Sequence, residues 1–449
     1  MENKNIRPLF HVTGGNGWIN DPNGLVYYKN KYHVFYQYYP HDTHWGPMHW
    51  GHVISDDLIH WERLPIALYP KVTSGEDGCF SGTSIVYNDI LYVVYTGFYE
   101  NGGGENIRQL QCLASSTDGI NFEKLGIIIG EKEIPEEFST CDFRDPKIWR
   151  ENDKFYILVA ARKKGGKGHI LLFSSNDIYN WNYVGDILEH ESLGIMIECP
   201  DYNKDMNLLL HSEQFQPNEG KTHLNIHSNR YKIGNLNLEN GKFKEEKSGI
   251  IDYGFDFYAP QLFSDKDIMI GWLNMWDRNN PSEKYGFAGT LTIPRKVSVV
   301  DNVLLQKPIW DYSNGETSNV EKESSFDFKF GSLKLDINNL QDLEIKLRKK
   351  DDQYFKITYK DNELICDRSN SGEKIIGVET DPDSLNGIRR IPVNNADNLE
   401  LEIIMDEFSV EIFANGLAGS FLVYPDLDSV GVEIKVNSSK CTLTKSIYE

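Results

Sequence analysis

Cysteine is scarce in this chain: six residues in 449, Cys79, Cys112, Cys141, Cys199, Cys366 and Cys441, with no Cys-x-x-Cys pair. That excludes a disulfide scaffold and a thiolate zinc site, and it predicts reduced thiols in a cytoplasm. Long apolar runs are also lacking, and the first residues, Met-Glu-Asn-Lys-Asn-Ile-Arg-Pro, hold no hydrophobic stretch of an export signal. Neither a membrane span nor a secretory leader is predicted. Positive charge is outnumbered, 46 Lys and Arg against 67 Asp and Glu for a net −21, which argues against nucleic acid and anionic membrane as partners. No EF-hand loop is present, and helical periodicity is rare.

Short strands separated by polar turns are abundant instead. Residues 25–28 and 32–39 flank Lys29-Asn30-Lys31, 83–87 and 91–95 flank Asn88-Asp89, and 147–150 and 155–161 flank Asn152-Asp153-Lys154. These are hairpin signatures. Five such units open on related motifs: Asn20-Asp21-Pro22, Phe80-Ser81-Gly82, Arg144-Asp145-Pro146, Glu198-Cys199-Pro200 and Tyr258-Ala259-Pro260. From Asp21 the steps to Ser81, Asp145, Glu198 and Tyr258 are 60, 64, 53 and 60 residues. A second repeat places Asp57, Asp118 and Asp177 each two residues after Ser and four before an aromatic, Trp61, Phe122 or Trp181. These read as structural corners, Asp closing the turn on backbone N–H groups.

A strand-only period near sixty, repeated five times, predicts a five-bladed β-propeller over residues 1–297. Each blade would give its first strand to the central channel, so the five openings would converge at one mouth. Residues 298–320, with Leu304 to Pro308, read as a linker, and the alternating segments of 321–449 read as a β-sandwich. The fold class is all-β.

Convergence would gather Asp21, Asp145 and Glu198 beside Arg144, Gln37, Trp45 and Trp50. Two carboxyl groups across a scissile bond are what glycoside cleavage needs, a close pair giving retention and a wider pair inversion. Crowded like charges raise at least one pKa and supply a proton donor. Arg144 adjoins Asp145 and is expected to keep it ionised, which leaves Asp21 and Glu198 as the working pair. It would also oppose a bound cation, so no metal is expected. His11, His49 and His52 read as packing or hydrogen-bonding residues.

The ordered motifs resemble glycoside hydrolase family 32, the β-fructofuranosidases. They are Trp18 to Gly24, Tyr36-Gln37-Tyr38, Trp45-Gly46, Trp50-Gly51-His52, Cys79 to Gly82, Gln111 to Ala114 and Phe143 to Pro146. Glu198 to Asp201, Asp256 to Gln261, Gly289 to Arg295 and Glu411 to Gly416 complete the set, which spans nearly the whole chain. The resemblance implies a propeller plus sandwich, a retaining mechanism and no cofactor. It implies that Asp21 attacks C2 of a fructosyl group, that Glu198 protonates the leaving oxygen and then deprotonates water, and that Asp145 stabilises the transition state. Arg144 would orient fructose hydroxyls; Asn20, Gln37, Trp45, Phe80, Ser81 and Trp272 match positions of the fructose pocket. Ile197 and Phe287 stand where many relatives carry Trp. The expected function is exo-hydrolysis of sucrose, sucrose 6-phosphate or short fructo-oligosaccharides; the alternatives are fructosyl transfer, a non-catalytic fructan-binding propeller, or an inverting arabinan-cleaving propeller. A phosphate would want Arg or Lys near the fructose 6-position, and the sequence does not place Lys147, Lys163 or Lys164 there. No oligomeric state is readable.

Overall fold

Polar turns whose two central residues both take positive φ set the hairpins of this fold, because they suit the twist of strands joined by two-residue loops. Lys29-Asn30, Asn88-Asp89 and Asn152-Asp153 all have φ between 48° and 63°. The fold was obtained as a computed structural model that describes residues 6–71, 75–192, 195–218 and 220–449. Residues 1–5, most of the stretch on which the reading of the first residues rests, lie outside those described.

Five sheets follow one another along the chain. Their first strands are Gly17–Tyr28, Gly78–Tyr87, Phe138–Glu151, Ile197–Asn203 and Tyr258–Leu262. Each touches the next in that order and the fifth touches the first, which closes a five-bladed propeller. A two-residue strand, Phe287–Ala288, pairs in parallel with Gly17 and Trp18 and joins the last blade to the first. The approach is close: at Gly289, φ 83°, an added Cβ would lie 2.2 Å from the Ile19 carbonyl oxygen.

The corners predicted at Asp57, Asp118 and Asp177 lie between the third and fourth strands of blades one to three. In each, Oδ1 accepts two successive backbone N–H bonds: Ile59 and His60 (both 2.9 Å), Ile120 and Asn121 (both 2.8 Å), Tyr179 and Asn180 (3.0 and 2.8 Å).

Beyond the propeller, two six-stranded antiparallel sheets face each other across one apolar core that includes Leu333, Leu335, Ile345, Phe355, Ile412 and Val432. This is the β-sandwich. The expected linker is corrected in part. Val303–Pro308 is the outer strand of blade five, paired along its length with Arg295–Val300, and Glu316–Asn319 already belongs to the sandwich. Its burial alternates, so a pleated edge strand was masked by its polar Gln306-Lys307 and terminal Pro308.

Buried charge ties the two units together. Arg295 is fully buried and donates to Asp252 (2.9 Å) and Gln306 (2.9 Å) in the propeller and to Glu411 (2.5 Å) and Ser420 (2.5 Å) in the sandwich. His11 sits between Asp406 and Glu411, 2.8 Å from each. Burial disfavours its charge, but the two carboxylates outweigh that and raise its pKa to about 9.

Candidate active site

Each first strand carries one residue more than its partner at the motif read from the sequence. The irregularities fall between Ile19 and Pro22, Phe80 and Gly82, Arg144 and Lys147, Glu198 and Asp201, and Tyr258 and Gln261. A bulge unpairs a residue, bends the strand and re-aims its side chains, and it gives proline a place in a sheet where no N–H is needed. Asp145, Cys199 and Ala259, each before a proline, have φ of 62°, 47° and 48°. Three non-glycine residues in the left-handed region at equivalent positions are costly, and such strain gathers at functional sites.

The bulges open on one cavity of about 350 Å³. Asn20, Asp21, Gln37, Trp45, Phe80, Ser81, Arg144, Asp145 and Glu198 line it, all named from the sequence. Gln109, Asp142, Gln214 and Trp276 line it too, and the sequence reading missed them. Trp272 is placed elsewhere: it is fully buried against Trp18 and Trp276, ring centroids 5.7 and 4.9 Å away. Trp50 is also buried, its indole N–H donating to the Phe80 carbonyl oxygen at 3.0 Å. It packs beneath the cavity.

Asp21 is 8% exposed. Its Oδ2 accepts from the Ser81 hydroxyl at 2.5 Å and lies 3.6 Å from the Cys199 thiol. Its Oδ1 is buried. Burial, opposed by the Ser81 hydrogen bond and reinforced by the charge of Glu198, raises its pKa to about 6. Cys199 stands between two acids, because its N–H donates to Asp145 Oδ2 at 3.0 Å and its sulfur lies 3.6 Å from the same oxygen.

Arg144 departs from the sequence expectation. Its Nε and one terminal nitrogen hold Glu198 Oε1 at 3.1 and 2.8 Å, whereas Asp145 is 3.9 Å away. Its other terminal nitrogen reaches Asp142 at 3.1 Å. The bulge after Arg144 breaks the alternation of strand faces, so both side chains reach the cavity while the guanidinium bridges to the next blade. Burial leads, ahead of the opposing Arg144 and the like charges of Glu198 and Asp21, in raising Asp145 to about 7. Arg144 lowers the Asp145 pKa, as expected from the sequence, but burial outweighs it. Tyr258 donates its hydroxyl to Glu198 Oε2 at 2.7 Å, and burial holds the phenol well above its ordinary pKa.

Of the lysines considered for phosphate, Lys147 is buried against Asp201 at 2.8 Å. Lys163 and Lys164 line a cleft of about 1000 Å³ that shares Asp142 with the cavity lined by Asp21 and Glu198. Arg162 reaches into this cleft and pairs with Asp142, and Arg108 pairs with Glu131 at 2.9 Å. His169, Asp186 and Glu189 also lie close enough to one another to face a cation. Asp186 is already held by His169 at 2.7 Å and Glu189 by Lys167 at 2.8 Å.

Residues 11–308 match the family model described as glycosyl hydrolases family 32 N-terminal domain, and residues 299–448 match the family 32 C-terminal model. A sucrose-6-phosphate hydrolase of Zymomonas mobilis is 36% identical over 94% of this chain and 88% of its own length. Among solved structures, a sucrose-6-phosphate hydrolase from Lactobacillus gasseri superposes with a TM-score of 0.89 at 26% identity, covering 100% of this chain and 94% of that one. A mutant β-fructofuranosidase of Bombyx mori in complex with sucrose gives 0.83 at 31% identity, covering 99% and 94%.

Proposed function

The chain belongs to glycosyl hydrolase family 32, and from that membership we propose that it is a retaining β-fructofuranosidase that removes terminal fructosyl units from sucrose, sucrose 6-phosphate or short fructo-oligosaccharides. The observation that carries this reading is the gathering of Asp21, Asp145 and Glu198, from three different blades, at the wall of one cavity of about 350 Å³. Carboxyl groups crowded in a cleft with perturbed titration mark a site of acid–base or nucleophilic chemistry.

In this reading the Asp21 carboxylate attacks C2, held in place by Ser81 and Cys199. Glu198 gives its proton to the leaving oxygen and then takes one from water. Arg144 holds Glu198 in the free enzyme; turning to the fructose hydroxyls, it would release a carboxyl able to carry a proton. Asp145 sits beside both, placed to bind sugar hydroxyls and to stabilise positive charge at C2. Trp45, 48% exposed and edge-on to Phe80 at 5.8 Å, offers an aromatic rim to the sugar. Incubation with sucrose should release fructose first as the β anomer in an NMR time course, and no release of fructose from any of the three sugars would contradict the reading. A balance toward transfer would show as longer sugars at high sucrose.

For a phosphorylated leaving group we propose recognition in the cleft beside the site. Lys163 makes no side-chain hydrogen bond or ion pair among the described residues, and Lys164 Nζ donates only to a neutral carbonyl, that of Glu136, at 2.7 Å. Replacing both by Ala should raise KM for sucrose 6-phosphate roughly 10-fold more than KM for sucrose, since a charge-assisted contact is worth about 1.5–3 kcal/mol. Equal changes on the two sugars would place the phosphate elsewhere. A cytoplasmic location fits sugar phosphates and sparse, unpaired cysteines, and it too is proposed; among the described residues no helix is long and apolar enough to cross a membrane.

A further inference from the structure

Trp276 belongs to a loop, residues 273–286, that leaves blade five and returns to close the ring. On one side the loop faces the catalytic cavity, where Trp276 stacks on Trp18 with centroids 5.6 Å apart. Trp18 in turn donates its indole N–H to Asn20 at 2.8 Å, next to Asp21. On its other side the loop is gripped by the sandwich. Asn279 aligns with residues 374–376 as if completing a strand pair. Its N–H donates to the Ile376 carbonyl oxygen at 3.1 Å, its Oδ1 accepts from the Ile376 N–H at 2.6 Å, and its Nδ2 donates to the Lys374 carbonyl oxygen at 3.3 Å. Arg278 pairs with Glu379 of the same segment and with Asp256 at 2.8 Å, Lys284 pairs with Glu373, and Tyr285 stacks on Phe408 with centroids 5.4 Å apart.

We propose that the sandwich takes part in sugar recognition through this clasp: Asn279 is a positioning residue that fixes Trp276 against the fructosyl pocket. The inference rests on the proposed function for the identity of the sugar, but the clasp itself stands on geometry. Asn279 and Ile376 are exposed, so the clasp contributes little to the core, and its two side-chain hydrogen bonds have the loop as their beneficiary. Without them the loop keeps one backbone bond at that point, and Trp276 gains freedom that sugar binding must remove.

The test is a double-mutant cycle of Asn279→Ala and Trp276→Ala, read as KM and kcat on sucrose and as fructose affinity by calorimetry, with the melting temperature as control. Asn279→Ala should raise KM about 3–10-fold with kcat changed less than about twofold, the size expected for two surface hydrogen bonds. In the Trp276→Ala background the same substitution should leave KM unchanged, because its effect passes through the missing ring. Asn279→Asp, which keeps the acceptor for the Ile376 N–H, should recover part of the loss. An unchanged KM in Asn279→Ala, or an equal effect with and without Trp276, would overturn the proposal. Wild-type enzyme inert on sucrose, sucrose 6-phosphate and short fructo-oligosaccharides would instead contradict the β-fructofuranosidase reading, and the fructose-affinity cycle would still decide the clasp.

Discussion

Asp21→Asn is expected to lower kcat on sucrose by roughly 10⁴–10⁶-fold, the range seen when a nucleophile is removed from a constellation that works as a unit. The amide has nearly the same shape and can still accept from Ser81, so binding should change far less than turnover. The fold should not suffer. Burial, with the nearby charge of Glu198, raises Asp21 to about 6, so the folded protein holds that proton more tightly than the unfolded chain. Stability linked to this group is therefore gained as pH falls below about 6, and above it the buried charge costs on the order of 2–3 kcal/mol. A neutral Asn removes that cost, and the melting temperature of the variant at pH 7 should equal or exceed the parent's. The same shift sets the acid limb of the parent enzyme. Attack needs the ionised form, so kcat/KM should rise with pH through about 6. A variant that keeps full activity, or one that loses it by unfolding, would remove Asp21 from the proposed role.

Glu198→Gln is expected to cost roughly 10²–10⁴-fold in kcat on sucrose, because general acid catalysis matters most when the leaving group is a poor one. The diagnostic is the substrate. A fructoside of an acidic phenol needs no proton on departure, so formation of the fructosyl intermediate should be nearly intact. Its hydrolysis, which needs the deprotonated carboxylate, should become the slow step. A burst of phenol followed by slow turnover is the expected trace, and added azide should restore turnover by replacing the water that Glu198 activates. Equal losses on sucrose and on the activated fructoside would assign Glu198 to binding instead. Arg144 holds this carboxylate at 2.8 and 3.1 Å in the free enzyme, so the Glu198→Gln variant would also lose a charge-assisted pair.

The propeller was legible because its blades repeat a physical device, the single extra residue in each innermost strand. Proline after Asp21, Asp145, Cys199 and Ala259 marks that bulge in the sequence, and residues sixty apart in the chain become neighbours once the device is seen as one position. The corners at Asp57, Asp118 and Asp177 were legible for the same reason, since side-chain capping of a turn is local. What failed was non-local. Arg144 and Asp145 adjoin in sequence and both face the cavity, but the guanidinium reaches across to Glu198 of the next blade, 2.8 Å away against 3.9 Å for Asp145. Trp272 and Trp276 look interchangeable in a list of tryptophans. The first faces inward from a strand and packs on Trp18; the second is swung back to the cavity by a loop whose path the sandwich sets. Gln109 and Gln214 lie outside every motif and carry no sequence signal. Glu411, read only as part of a motif in the C-terminal unit, binds His11, Arg295 and the Ile293 N–H, which makes it a joint between the units.

The proposed chemistry depends on a covalent bond forming at one named carboxylate. Glu198→Gln protein mixed with the activated fructoside, quenched in acid during the slow phase and digested with protease, should yield one peptide heavier by one anhydrofructosyl unit. Fragmentation should place that unit on Asp21. A fructosyl group found on Asp145, or fructose released as the α anomer with no adduct on any peptide, would contradict it.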